Sequence, residues 1–317
     1  MPRELRLDGS TPSFGARAAL DFRRNWPLYL LFLPVFAYYI IFHYWPMYGV
    51  ISAFQDFNFV KGFMASPWAD PWYKHFERFF SGYYAGRVIS NTLLLNVYGM
   101  LFSWPLPIVF ALLLNEVRLQ SFKRTVQTLS YLPHFISMVV IAGMIRLFTG
   151  VNGLFNEIIG LFGGGERINF LLYPQNFRSI YIGSGIWQGL GWGSIIYIAA
   201  IAGVDQELYE AATIDGAKRL RKMWHITLPG IRPTIIILLI MAFGSMMSHG
   251  ADKILLLYEP STYVVADVIS SYVYRMGLQR MDYSFGAAVG FMNSIINMLL
   301  LFTANFVSKK VSETSLW

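Results

Sequence analysis

This sequence predicts an all-α integral membrane protein with six transmembrane helices, and three observations predict it. Charged residues occupy only 14% of the 317 positions, against about 25% in a soluble domain. The mean hydropathy is +0.46. Six apolar runs, 27–45, 88–114, 126–148, 180–202, 233–250 and 284–307, each approach the ~20 residues that a bilayer core requires. The net charge of +7 suits cytoplasmic loops beside anionic headgroups. No long basic tract points to nucleic acid. With no Cys, disulfides and thiolate metal sites are excluded.

Taken in order, residues 1–26 form a cytoplasmic N-terminal segment. It is polar, with Gly and Pro, and is expected to be mobile or to lie on headgroups. Its charged leader runs to Arg24, longer than a signal-peptide n-region. WPMYG stands where a small-x-small cleavage site would follow, so the first span is retained. Residues 27–87 join that span to a long aromatic external loop. SPWADPWYKHFERFF within it reads as a short interfacial helix, or as a docking surface for an external partner.

Residues 88–308 form a five-helix core domain. Its first span carries Pro105 and Pro107, which remove backbone donors and are expected to break helical regularity. In 180–202, Gly183, Gly185, Gly189, Gly191 and Gly193 are expected to let neighbouring helices approach closely. A polar loop, 203–232, separates the fourth and fifth spans, and 309–317 is a cytoplasmic tail. Most of the 25 Lys and Arg fall on the termini, on 115–125 and on 203–232. With positive loops inside, both termini are cytoplasmic.

Several chemistries are missing. There is no G-x-x-x-x-G-K-[ST], no H-E-x-x-H and no G-x-S-x-G. His43, His75, His134, His225 and His249 are scattered, which speaks against a metal site, and no catalytic residue is assigned. The six runs contain no Asp or Glu, the usual relay of ion-coupled transporters. Energy for uphill transport would then come from outside the bilayer.

The loop carries the densest signal, EAATIDGAKRLRKMWHITLP at 210–229. Asp205 is a good N-cap for a helix opening at Gln206, with Glu207 and Glu210 in its N-terminal part. Ala211 and Ala212 permit close approach. Gly216 after Asp215 suits a left-handed helix end. A second, basic helix follows, with Leu220, Met223 and Trp224 as an apolar stripe. Pro229 is expected to stop it, and Pro233 to open the next span. The result is two short helices around a tight bend, either resting on headgroups or docking as a rigid knob.

Glu210-Ala211-Ala212, three residues, Gly216, nine residues, Ile226, one residue, Leu228-Pro229 resembles the E-A-A-x₃-G-x₉-I-x-L-P loop of ABC importer permeases. DGA, with Asp215, resembles the maltose-permease branch. PMYG, HFERFF, NTLLLN, FKRTVQTLSYLPHFIS, SGIWQGLGWGSIIY, VADVISSYVYRMGL and SLW are similar to its polysaccharide, lipo-oligosaccharide and alginate-type subgroup, over most of 46–317. The resemblance implies the type I importer permease fold in the bacterial cytoplasmic (inner) membrane. It implies a second homologous permease, two cytoplasmic ABC ATPase subunits and an extracytoplasmic binding protein. ATP and Mg would be bound by the ATPase, with no cofactor in this chain. Glu210 would contact the ATPase, Gly216 would make the bend, and the alanines would permit close approach.

The cargo implied is an oligo- or polysaccharide, possibly acidic and alginate-like. Another small solute, or a secondary transporter without ATPase, is the alternative. Candidate pathway residues are Asn91, Asn96, Tyr98, Trp104, Trp187, Gln188, Trp192, Asn293 and Asn297. Their aromatic faces and amides suit sugar rings and hydroxyls, or else satisfy one another between helices. Arg146 and Lys253 near outer span ends would suit a uronate, or would snorkel to headgroups.

Overall fold

Sequence and bilayer together require backbone satisfied within each segment, and the chain complies with helices. The computed structural model describes residues 14–247 and 251–312, among which regular structure is helical apart from one isolated bridge between Gln55 and Trp68. Six helical stretches are long and apolar enough to span: Leu20–Phe54, Ala85–Glu116, Met138–Leu161, Pro174–Ala202, Arg219–Gly244 and Tyr283–Lys310. Within them Asp21, Glu116 and Glu157 occupy end regions.

In chain order, α1 is Phe14–Tyr39 and α2 is Lys74–Phe80 in the external loop. Helices α3, Ala85–Tyr98, and α4, Pro105–Glu116, make the second span. An amphipathic α5, Gln120–Tyr131, precedes α6, Met138–Thr149, and α7, Leu154–Leu161. The long α8 is Pro174–Ala202. The polar loop holds α9, Gln206–Ile214, and α10, Arg219–Lys222, and α11 is Leu228–Gly244. Short helices α12, Ala251–Leu257, and α13, Ile269–Val273, lead to α14, Tyr283–Ser312.

Residues 14–24 are helical, kinked at Asn25 (φ −115°) two residues before Pro27; positions 1–13 lie outside the described residues. The third span is Met138–Leu161 rather than 126–148. Lys123, Arg124 and Gln127 give α5 a polar face. Pro133 and extended Ser137, whose hydroxyl accepts the Val140 N–H at 3.4 Å, start a new helix after it.

Helical regularity breaks beside Pro105 as expected, at a π-turn that divides α3 from α4, whereas Pro229 does not stop its run, which continues as α11. Each follows a π-turn, Gly99–Ser103 or Met223–Thr227, and Ile40–Tyr44 stands likewise before Pro46. The residue preceding each proline donates five positions back, as Trp104 does to Gly99 at 3.2 Å. The wider turn relieves the clash between the ring and the carbonyl four residues back. The fifth span accordingly starts at Arg219 and ends at Gly244, not at 233–250, and 248–250 lie outside the described residues.

The glycines of α8 divide. A Cβ on Gly191 would stand 2.3 Å from the Ser130 carbonyl oxygen, and one on Gly193 3.2 Å from Pro107. Gly185 neighbours Lys253, but Gly183 and Gly189 have open space. Only some of the five therefore serve packing.

Lipid is as apolar as leucine, so shape fit and hydrogen bonds hold the bundle rather than hydrophobic transfer. One buried cluster joins Ile108 and Ala111 of α4, Tyr197 and Ile201 of α8 and Ile231 of α11, directly beneath the polar loop. A second joins Phe79, Val88, Tyr272, Phe285 and Val289. The apolar window of the first span is wholly unburied.

The external helix α2 does not simply lie on the surface. His75 and Phe79 are buried, and the Ser284 hydroxyl donates to the Gln55 carbonyl at 2.6 Å while accepting the Phe57 N–H. Lys74 Nζ donates to both Asp56 oxygens at 2.8 and 2.9 Å. That hydrogen bond holds the Asp56 carboxyl below its usual range. The folded value is depressed, so the tie is present above the unfolded pKa of ~3.9 and is lost as pH falls through the folded value. Asp56→Asn is expected to speed protease cleavage within 55–75 at neutral pH. Bundle stability should change by less than about 1 kcal/mol, since both side chains are exposed. Unchanged cleavage would reject this.

Candidate functional site

The polar loop is built from local interactions that the sequence announces. Helix α8 ends at Gly203, and the Asp205 carboxylate accepts the Glu207 N–H at 2.9 Å, capping α9. At the other end the Ala217 N–H reaches the Ala212 carbonyl at 2.8 Å and the Gly216 N–H reaches Thr213 at 3.0 Å. This pair of bonds is the Schellman closure. Gly216 has φ +72°, a region costly for residues with a Cβ. No atom lies within 4 Å of where a Cβ would stand, so φ, not crowding, selects glycine.

The eight motif positions fall into two groups. Glu210, Ala211, Asp215 and Gly216 are exposed and Ala212 is half-buried, forming the protruding side. Ile226 and Leu228 are half-buried at the base, and Leu228 packs against the cluster around Ile231 and Tyr197. Pro229 is exposed on the continuing helix. The expected stripe splits: Met223 packs into that cluster, whereas Leu220 and Trp224 face outward.

Four residues were not singled out from sequence. Leu208 and Ile214 are exposed apolar side chains on α9, Ile214 at 87%. The Tyr209 and Thr227 hydroxyls share a hydrogen bond of 2.8 Å. An exposed leucine is a signal that sequence could have supplied. The Tyr209–Thr227 pairing, 18 residues apart, is not.

The candidate pathway residues do not converge on one site. Asn91 is 3% exposed and donates to the Val264 and Asp267 carbonyls at 3.0 and 3.1 Å while accepting from Arg178 at 2.9 Å. Asn96 donates to Thr92 of its own helix. Tyr98 is half-buried, and Trp104 packs against the Ile231 cluster. Trp187 lines an apolar groove with Met144, Phe148 and Phe155. Trp192 stacks on His134, ring centroids 4.3 Å apart. Gln188, half-buried, shares its helix face.

Asn293 and Asn297 share a face of α14, as their spacing predicts. They grip Met247 where the fifth span ends: Asn293 donates to its carbonyl at 3.1 Å and Asn297 accepts its N–H at 2.8 Å. The amides thus satisfy backbone groups freed at a helix end. Both cations have partners within the chain. Arg146 donates to the Leu256 carbonyl at 2.8 Å and pairs with Glu259. Lys253 is buried, its ammonium 2.8 Å from the Tyr181 carbonyl and over that residue's ring.

Residues 103–313 match the family described as binding-protein-dependent transport system inner membrane component. The chain is 43% identical over 291 residues to the polygalacturonan/rhamnogalacturonan transport system permease protein YteP of Bacillus subtilis (strain 168), covering 92% of this chain and 90% of the relative. It is 42% identical over 296 residues to protein LplB of the same organism, covering 93% and 92%. Among solved structures, a chain of a bacterial ABC transporter involved in the import of the acidic polysaccharide alginate superposes with TM-score 0.86 at 40% identity, covering 93% of this chain and 99% of that one. A chain of a bacterial alginate ABC transporter in complex with alginate pentasaccharide-bound periplasmic protein gives TM-score 0.85, also at 40% identity, covering 93% and 98%.

Proposed function

The chain belongs to the family of binding-protein-dependent transport system inner membrane components, and from that premise we propose that it forms half of the pore of an ATP-driven importer for an acidic oligo- or polysaccharide. A second, homologous permease completes the pore. Two ATPase subunits, which bind ATP and Mg, sit on the cytoplasmic loop, and an extracytoplasmic binding protein delivers the cargo. The membrane is the bacterial cytoplasmic membrane. The acidic class is supported by the alginate importers and the polygalacturonan permease that this chain resembles.

One observation carries the coupling role. The loop projects a capped helix with Glu210 exposed and turns sharply at left-handed Gly216, while Leu228 anchors its base in the bundle. Such a rigid, anchored projection receives force without absorbing it. Glu210 supplies a charged contact to the ATPase, and Ala211 and Ala212 let that surface come close. Closure of the ATPase dimer on ATP then rocks the helices between outward- and inward-facing states.

The test is reconstitution of the purified complex in liposomes with its binding protein. Acidic oligosaccharide is expected to stimulate ATP hydrolysis and to accumulate inside. Glu210→Ala should lower uptake at least about tenfold, in line with the ~1.5–3 kcal/mol of a hydrogen bond to a charged group. Uptake driven by an ion gradient, with no ATPase in the complex, would select the secondary-transporter alternative.

A further inference from the structure

Helix α9 is joined to its chain neighbours through two turns, Gly203–Asp205 before it and Asp215–Lys218 after it. Covalent connection alone would let it swivel. Its direction of movement is set by what it touches. Among the described residues, the two side-chain hydrogen bonds that leave α9 for another helix both end on the Arg219–Gly244 span. Tyr209 shares its hydroxyl bond with Thr227 at 2.8 Å, and Thr213 accepts from Lys222 Nζ at 2.6 Å. Just before α9, Val204 lies against Gly230, where an added Cβ would stand 2.8 Å from Val204 Cγ2.

The two hydrogen bonds differ in kind. Lys222 and Thr213 meet in the open, where water competes. Thr227 is 1% exposed and Tyr209 is half-buried, so losing one hydroxyl strands the other. Thr227 is also the last residue of the π-turn Met223–Thr227. A π-turn is a local irregularity in the helical hydrogen-bond ladder. Load entering above it through Arg219–Lys222 alone would flex that turn. The Tyr209–Thr227 bond bypasses the turn and enters at its far edge, next to Leu228, Ile231 and the buried cluster they share with Tyr197.

We propose that the Tyr209–Thr227 hydrogen bond is the strut that makes α9 and the fifth span one lever, so that ATPase movement is delivered to the fifth span rather than dissipated in the π-turn. Both are positioning residues, acting through the helix they lock. This rests on the coupling-loop reading of the preceding subsection and adds to it the point where load enters the bundle.

The test uses the full reconstituted complex and reads saccharide taken up per ATP hydrolysed. Tyr209→Phe and Thr227→Val are each expected to lower that ratio about fivefold, the fold-change of one hydrogen bond, with the ATPase still co-purifying. The double variant should be no worse than the weaker single one, because both remove the same bond. Thr227→Ser, which keeps the hydroxyl, should restore the ratio relative to Thr227→Val. A wild-type ratio in Tyr209→Phe, losses that multiply in the double variant, or equal losses in Thr227→Ser and Thr227→Val would overturn the strut. So would loss of the ATPase from the Tyr209→Phe complex, which would make Tyr209 a docking contact. A wild-type complex without ATPase would instead overturn the coupling-loop reading itself.

Discussion

Gly216→Pro is expected to lower ATP-driven uptake roughly 100-fold while the helical bundle survives, matching the ~3 kcal/mol that a misplaced proline costs. Proline requires φ near −65°, whereas Gly216 sits at +72°. It also lacks the N–H that Gly216 donates to Thr213. The Schellman closure would be lost, and α9 and α10 would leave the loop at a different angle. Gly216 is exposed, with nothing within 4 Å of a Cβ position, so the damage stays in the loop. Gly216→Ala provides a graded companion, with a strain of about 1–2 kcal/mol. Uptake and thermal unfolding should be measured on the same preparation. Full uptake in Gly216→Pro would remove the bend from the coupling mechanism; a lower unfolding temperature with proportionate loss of uptake would make it a folding element.

Asn91→Ala is expected to destabilise the protein by about 3 kcal/mol, the largest stability effect among the amide positions. The side chain is 97% buried by its 3% exposure. Its loss would strand the carbonyls of Val264 and Asp267 and one Arg178 donor. Each stranded buried group costs about 1–3 kcal/mol, and membrane-embedded bonds fall toward the lower end of that scale. Thermal unfolding in detergent should shift down by roughly 6–12 °C, at about 2–4 °C per kcal/mol for a chain of this size class. Asn96→Ala, whose amide bonds only to Thr92 of its own helix, should cost less than about 1 kcal/mol. Unchanged stability in Asn91→Ala with altered saccharide preference would return Asn91 to the transport pathway.

These two residues also separate what was legible from what was not. The cap at Asp205 and the bend at Gly216 involve partners two to five positions away, so spacing alone locates them. The break in regularity beside Pro105 is legible in the sequence, whereas the continuation of the helix through Pro229 is not. Proline's cost in a regular α-helix is real, yet one π-turn ahead of Pro105 and Pro229 absorbs it, and the helix continues. The third span was displaced because apolar content over 126–148 outweighed Lys123, Arg124 and Pro133, which mark a separate amphipathic helix.

By itself the sequence determined that the chain has six membrane-spanning stretches and carries a capped, sharply bent polar loop. Hydropathy and capping act over one helix or one turn, so a linear string records them. Tertiary structure alone decided what the buried polar side chains do. Asn91 finds carbonyls 173 and 176 positions away, Asn293 finds one 46 positions away, and Tyr209 meets Thr227 across 18. Inside an apolar bundle an amide or hydroxyl takes whichever partner packing brings within 3 Å or so. That partner is chosen by how helices cross, which no spacing along the chain encodes.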